Sequence, residues 1–94
     1  MSDFLKAIEV CVNGKLDEKT CNKIFLQTGI MAELDAISLY QTMARITKNK
    51  KMQEILLDVA REEKTHVGEF QYLLRKNDKE FDTELKKGAK EVES

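Results

Sequence analysis

Two side chains that can bind a metal, Glu63 and His66, lie three residues apart in the second half of the chain. Residues at i and i+3 of an α-helix project from one face about a turn apart, so the carboxylate and the imidazole point to the same spot. They also belong to a series whose steps alternate between four and three residues, which is typical of a helix packed in a bundle. The series is Met52, Leu56, Val59, Glu63, His66, Phe70 and Leu73. Because burying an unpaired carboxylate costs several kcal/mol, Glu63 needs a cation, a proton or a metal.

A second carboxylate, Glu33, belongs to a similar series earlier in the chain. That series is Leu26, Ile30, Glu33, Ile37, Tyr40 and Ala44. The polar run from Thr47 to Lys51 has no core-forming residue and predicts the reversal between two antiparallel helices. Glu33 lies about 14 residues before this reversal and the other two about 14 to 17 after it, which is roughly 20 Å on each side at ~1.5 Å per residue. The three side chains are therefore predicted to meet at one height in the hairpin.

Three segments are predicted to position these residues. Residues 1–16 form a short N-terminal helix, and residues 17–76 form the hairpin, whose first long helix is capped by Asp17. Residues 77–94 form a short C-terminal helix and tail. The predicted fold is all-α: an antiparallel hairpin of two long helices with short helices at each end.

The N-terminal segment carries Cys11, and Cys21 follows it near the start of the first long helix. Its helix is predicted to be capped by Ser2 or Asp3 and to end near Gly14. Cys11 and Cys21 lack the C-x-x-C spacing of a redox motif or a zinc site, and the sequence has no secretory context. We therefore expect free thiols that take no part in the activity.

The composition excludes several classes of partner. Of the 94 residues, 16 are basic and 17 acidic, with neither half forming a basic patch, which argues against nucleic acid and anionic membranes. No apolar run approaches membrane-spanning length. The sequence begins without the layout of a signal peptide, so a cytoplasmic protein is expected.

The three side chains form half of a recurrent kind of metal site. Ferritin-like carboxylate proteins bind two metal ions with a Glu from each of two helices and a Glu-x-x-His motif from each of two others. This chain has one of each and no second Glu-x-x-His. A complete site therefore requires two copies, most simply across a two-fold axis, so dimerisation would complete a ferritin-like four-helix bundle. Carboxylates with one imidazole per metal favour iron, with manganese as the alternative.

Two segments of the chain resemble the encapsulated-ferritin family, half-length ferritin-like proteins found with, or fused to, encapsulin shells. They are Ala32–Tyr40 and Leu57–Phe70, within a resemblance that covers residues 29–87. The resemblance implies a dimer around a di-iron ferroxidase centre, dimers arranged in a ring of ten subunits, and association with an encapsulin nanocompartment. The residues that match the family's metal ligands are Glu33, Glu63 and His66, and Tyr40 matches a tyrosine beside the metals.

The chain departs from the family at three places. Family members carry an acidic pair flanking the ligand glutamate, of which Asp35 keeps one member and Ala32 replaces the other. Leu39 stands where an aromatic residue often precedes the tyrosine. The residues that end the sequence do not resemble an encapsulin-targeting tail.

Three functions remain open at this stage. The first is a ferroxidase that oxidises Fe(II) with O₂ for iron storage or detoxification. The second is a peroxide-scavenging di-iron protein of rubrerythrin type, which would need an electron-delivering partner. The third is a structural helical module of an encapsulin assembly, in which metal only stabilises the fold. Metal-dependent O₂ consumption separates the first from the third, and a faster reaction with peroxide favours the second.

Overall fold

Residues 2–94 form four α-helices joined by short connections. In a computed structural model, which describes residues 2–94 and the side chains from residue 4 onward, they are α1 (Ser2–Glu9), α2 (Glu18–Ile46), α3 (Lys50–Asn77) and α4 (Lys79–Glu93). No strand occurs within residues 2–94. The long helices α2 and α3 pack along each other as a hairpin closed by residues 47–49. The prediction of an all-α fold with two long packed helices and short terminal helices is confirmed.

Three side-chain caps set where the later helices begin. Asp17, Asn49 and Asp78 each accept a hydrogen bond through a side-chain oxygen from the backbone amide three residues further on, at 2.7, 2.9 and 3.0 Å respectively. Such bonds satisfy amide groups that the first turn of a helix leaves unpaired. Because Asp78 ends α3 and caps α4, the two helices follow each other with a single residue between them.

A narrow strip of apolar residues holds the hairpin together. Its buried members are Ile37 and Ala44 on α2, and Ala60 and Leu74 on α3. Each pair is spaced by a multiple of seven residues, which keeps both members on the same helix face. The two alanines have small side chains, so the helix backbones can approach each other closely.

The apolar series of α3 lies beside this strip and is only partly buried within one chain. Met52 and Leu73, at its ends, are 53% and 48% exposed. The reason is rotation: α3 contacts α2 through Ala60 rather than Val59, and neighbouring residues differ by about 100° around a helix. One face of the hairpin, here called the open face, therefore presents Met52, Ile55 and Leu73 to solvent on the side that carries the metal-binding candidates.

A disulfide between Cys11 and Cys21 links the segment after α1 to the first turns of α2. The prediction of free thiols is therefore wrong. Gly14 adopts a left-handed φ of 72°, and the turn around it brings the two Cα atoms to 5.9 Å, a separation that a disulfide spans. The proposed cap at Ser2 or Asp3 depends on side chains that lie outside the described residues.

The C-terminal helix α4 contacts only α3 among the helices. An ion pair between Arg75 and Asp82 and the half-buried side chains of Phe81 and Leu85 hold its first half, whereas Val92 near its end is exposed. None of the helices in the described part of the chain combines the length and the apolar character needed to cross a membrane.

Candidate metal centre

Glu33, Glu63 and His66 come together on the open face of the hairpin. The Nδ1 atom of His66 lies 3.0 Å from Oε2 of Glu33 on the neighbouring helix and 3.5 Å from Oε2 of Glu63 one turn away on its own helix. One possible ligand atom from each residue lies within 4.8 Å of the other two. The structure thus brings together the three residues that the hairpin geometry predicted to meet.

The two carboxylates are more enclosed than the imidazole. The side chains of Glu33 and Glu63 are 20% and 19% exposed, whereas that of His66 is 45% exposed and reaches the open face. Among the ion pairs of the described side chains, no lysine or arginine contacts either carboxylate. With the imidazole neutral, the cluster therefore carries two negative charges without a fixed positive partner.

Protons partly compensate this charge in the metal-free chain. The hydrogen bond that the imidazole donates to Glu33 raises the pKa of His66 above its ordinary value; burial opposes this shift, and the charges of both carboxylates add to it. The pKa of Glu63 is also raised, because Glu33 can share a proton with it, because the group is partly desolvated, and because the two carboxylates repel each other. Both raised pKa values mean that the cluster binds protons more tightly, which offsets part of its negative charge in the absence of a metal ion. A metal ion bound there would displace those protons.

The donor set fits a metal ion that prefers oxygen and imidazole ligands. Two carboxylates and one imidazole suit iron or manganese, and both cysteine sulfurs of the chain are engaged in the disulfide, so no thiolate competes as a ligand. Three protein ligands also leave coordination positions open, as in catalytic rather than purely structural sites. Within the described residues, this is the one cluster of three or more such side chains.

Tyr40 lies on the same helix as Glu33. It is half-buried on α2, seven residues beyond Glu33, which is about 10 Å along the helix axis at ~1.5 Å per residue. No hydrogen bond of the described side chains joins its hydroxyl to the cluster. Its role beside a metal centre stays a prediction. Glu62 and Glu69, which flank the cluster in sequence, are exposed.

Gly29 and Phe70 shape the hairpin next to the cluster. A Cβ atom placed on Gly29 would lie 3.1 Å from Cε2 and 3.2 Å from Cδ2 of the Phe70 ring, so the ring lies directly against the backbone of α2. Phe70 follows His66 by one turn on the same face of α3. In the sequence, a glycine inside a helix indicates that another element can pack closely there, but it does not identify Phe70 as the residue that does so.

The chain matches known proteins over most of its length. The family described as EncFtn-like matches residues 10–89. A ferritin-like-encapsulin shell fusion protein from Pyrococcus furiosus is 58% identical over 67 residues, which are 71% of this chain and 19% of that protein. The chain therefore spans about a fifth of the length of that curated relative (19%).

The fold matches as well as the sequence. The crystal structure of the encapsulated ferritin domain from Pyrococcus furiosus superposes with a TM-score of 0.80 at 49% identity, over 89% of this chain and 87% of that one. The resemblance to encapsulated ferritins noted in the two segments of sequence is thereby confirmed, and the chain belongs to the EncFtn-like family.

Proposed function

We propose that this protein is a ferroxidase that oxidises Fe(II) to Fe(III) with O₂ at a di-iron centre shared by two subunits, for iron storage or detoxification. The observation that carries the proposal is the cluster of Glu33, Glu63 and His66 on the open face, whose carboxylates pair with no lysine or arginine. Membership of the EncFtn-like family supports it independently.

The open face supports the sharing of the centre between two chains. One chain supplies only three ligands, and its apolar residues Met52, Ile55 and Leu73 are exposed around them. A second copy related by a two-fold axis would add three more ligands and bury these side chains, which would complete the four-helix bundle. Assembly of such dimers into a ring of ten subunits is part of the same proposal.

Each residue of the cluster has a role in this proposal. Bound iron supplies the one-electron redox chemistry that no side chain of the chain provides. Glu63, Glu33 and His66 would each supply a ligand to the iron. His66 must be neutral to serve as a ligand, and both carboxylates must be ionised, so all three exchange protons for metal. Tyr40 would position a carboxylate ligand through its hydroxyl.

The relative from Pyrococcus furiosus, a ferritin-like-encapsulin shell fusion protein, supports an encapsulin shell as a partner. In that protein the ferritin-like part and the shell are fused. We therefore propose that this chain also acts with an encapsulin nanocompartment in the cytoplasm, where the shell would collect the Fe(III) that the chain produces.

Substitution of single ligands tests the ferroxidase proposal. Glu33→Ala and His66→Ala should each abolish most Fe(II)-dependent O₂ consumption while helix content by circular dichroism stays near that of the parent. Glu62→Ala, an exposed carboxylate next to Glu63, is the matched control and should keep the parent rate. If either ligand variant consumes O₂ at the rate of the control, that residue does not bind the iron. Faster iron oxidation with peroxide than with O₂ would favour the peroxide-scavenging alternative.

A further inference from the structure

The N-terminal helix α1 is held on the molecule by few interactions. It spans eight residues, Ser2–Glu9, and among the helices it contacts only α2. An isolated helix shorter than about 12 residues is marginal in water, so α1 depends on its attachment for its structure. Phe4 and Ile8 are half-buried, while Leu5 between them is exposed. The Cys11–Cys21 disulfide is the covalent part of this attachment.

A stripe of buried and half-buried side chains runs along the first half of α2, the helix that α1 contacts. Cys21 is buried at 7% exposure, and Ile24 and Thr28, which follow on the same side of the helix, are half-buried. This side is rotated by about 160° from Ile37, so it faces away from α3. Further along the same side, Ala32 is half-buried and Asp35 is exposed. The helices that contact α2 are α3 and α1, and α3 lies on the opposite side, so α1 and the segment that follows it are the elements available to cover Cys21 and Ile24.

The two sulfur atoms of the bridge differ in their access to solvent. Cys11 is partly exposed on the segment after α1, whereas Cys21 is buried at the start of α2. A thiolate from solution therefore reaches the Cys11 sulfur first. Its attack forms a bond to Cys11 and releases Cys21 as a thiolate. The second thiol of a dithiol reductant then displaces Cys11, so two electrons pass to the protein and the reductant leaves as a disulfide.

We infer that the Cys11–Cys21 disulfide is a reversible redox switch that locks α1 onto α2, and that a dithiol releases α1 while the hairpin stays folded. The hairpin has its own apolar strip, and the cap of α2 is a hydrogen bond from the Thr20 amide to Asp17 in which neither cysteine side chain takes part. Glu33 lies twelve residues beyond Cys21, about 18 Å along the helix, so the metal-binding cluster is out of reach of the switch. The inference therefore stands independently of the proposed ferroxidase activity.

Hydrogen exchange with peptide-resolved mass spectrometry tests the switch on the full chain. Oxidised protein should protect the amides of α1, and dithiothreitol should speed their exchange by on the order of a hundredfold, which is the loop-closure effect of a ten-residue bridge. Peptides from the middle of α2 and from α3 should be unaffected. Oxidised dithiothreitol should restore the protection.

The double variant Cys11→Ser/Cys21→Ser is the matched control. Because the chain has two cysteines, the variant should exchange like the reduced protein and should not respond to dithiothreitol. Alkylation of both thiols confirms that reduction is complete. Unchanged exchange of α1 after complete reduction would overturn the inference, as would loss of protection throughout the hairpin or failure of the oxidant to reform the bridge.

Discussion

Replacing Gly29 with alanine tests how closely α2 and α3 are held together beside the metal-binding cluster. In the interior of a helix this change is worth about 1 kcal/mol in favour of alanine. At Gly29 the new Cβ would lie 3.1 and 3.2 Å from two carbons of the Phe70 ring, closer than the 3.6 Å to the ring's Cζ. Ordinary carbon contacts lie at about 3.5 to 4.0 Å, so the ring must move by a few tenths of an ångström.

The cost of that movement decides the sign of the effect. Overpacking an apolar contact costs about 1 to 3 kcal/mol. Phe70 is only half-buried and has room toward the open face, so the lower end of that range applies. We expect this cost to cancel the gain in helix propensity. The free energy of unfolding of Gly29→Ala should therefore not exceed that of the parent by more than about 0.5 kcal/mol.

Gly68→Ala provides the matched control, because Gly68 also lies inside a long helix but a Cβ there meets no atom within 4 Å. It should stabilise the protein by about 1 kcal/mol, which raises the melting temperature by roughly 4 to 8 °C in a domain of this size. Gly29→Ala should recover the same gain in a Phe70→Leu background, giving a coupling energy of about 1 kcal/mol between the two positions. Urea and thermal unfolding of the metal-free protein, followed by circular dichroism, measure all four variants. If Gly29→Ala alone is as stable as Gly68→Ala, the ring does not lie against α2 and the described contact is wrong.

Three further predictions concern the cluster and the disulfide. Metal-free protein should form weaker oligomers than protein loaded with Fe(II), because ligands shared between two chains link metal binding to dimerisation. Identical sedimentation profiles with and without Fe(II) would exclude a shared site. The hydrogen bonding of His66 and Glu63 to Glu33 raises both pKa values, so the folded metal-free chain binds protons more tightly than the unfolded chain and its stability should rise as pH falls from about 7.5 to 5.5. The loaded protein should instead lose stability over that range, because protons compete with metal for the same atoms, and parallel melting curves for the two forms would contradict a metal site. Cys11→Ser/Cys21→Ser should oxidise iron at the parent rate per subunit, and a large loss of rate would mean that the bridge positions Glu33.

The sequence by itself determined the two long helices and the position of the candidate ligands along the axis of the hairpin. The cap at Asp17 acts within one helical turn, so local sequence was sufficient to locate it, and the structure adds caps of the same kind at Asn49 and Asp78. The meeting of Glu33 with Glu63 and His66 was also predictable, because the rise per residue of an α-helix is constant and the three lie equally far from one reversal.

Only the tertiary structure decided how the helices are rotated and what lies outside the hairpin. The contact strip passes through Ala60 rather than Val59, because the rotation of packed helices depends on where small side chains on both allow the closest approach, which neither helix specifies alone. The same rotation leaves Met52 and Leu73 of the α3 series on the open face. The Cys11–Cys21 bridge depends on the reversal at Gly14 and on the packing of α1 against α2, two features that bring residues ten positions apart together and leave no local motif.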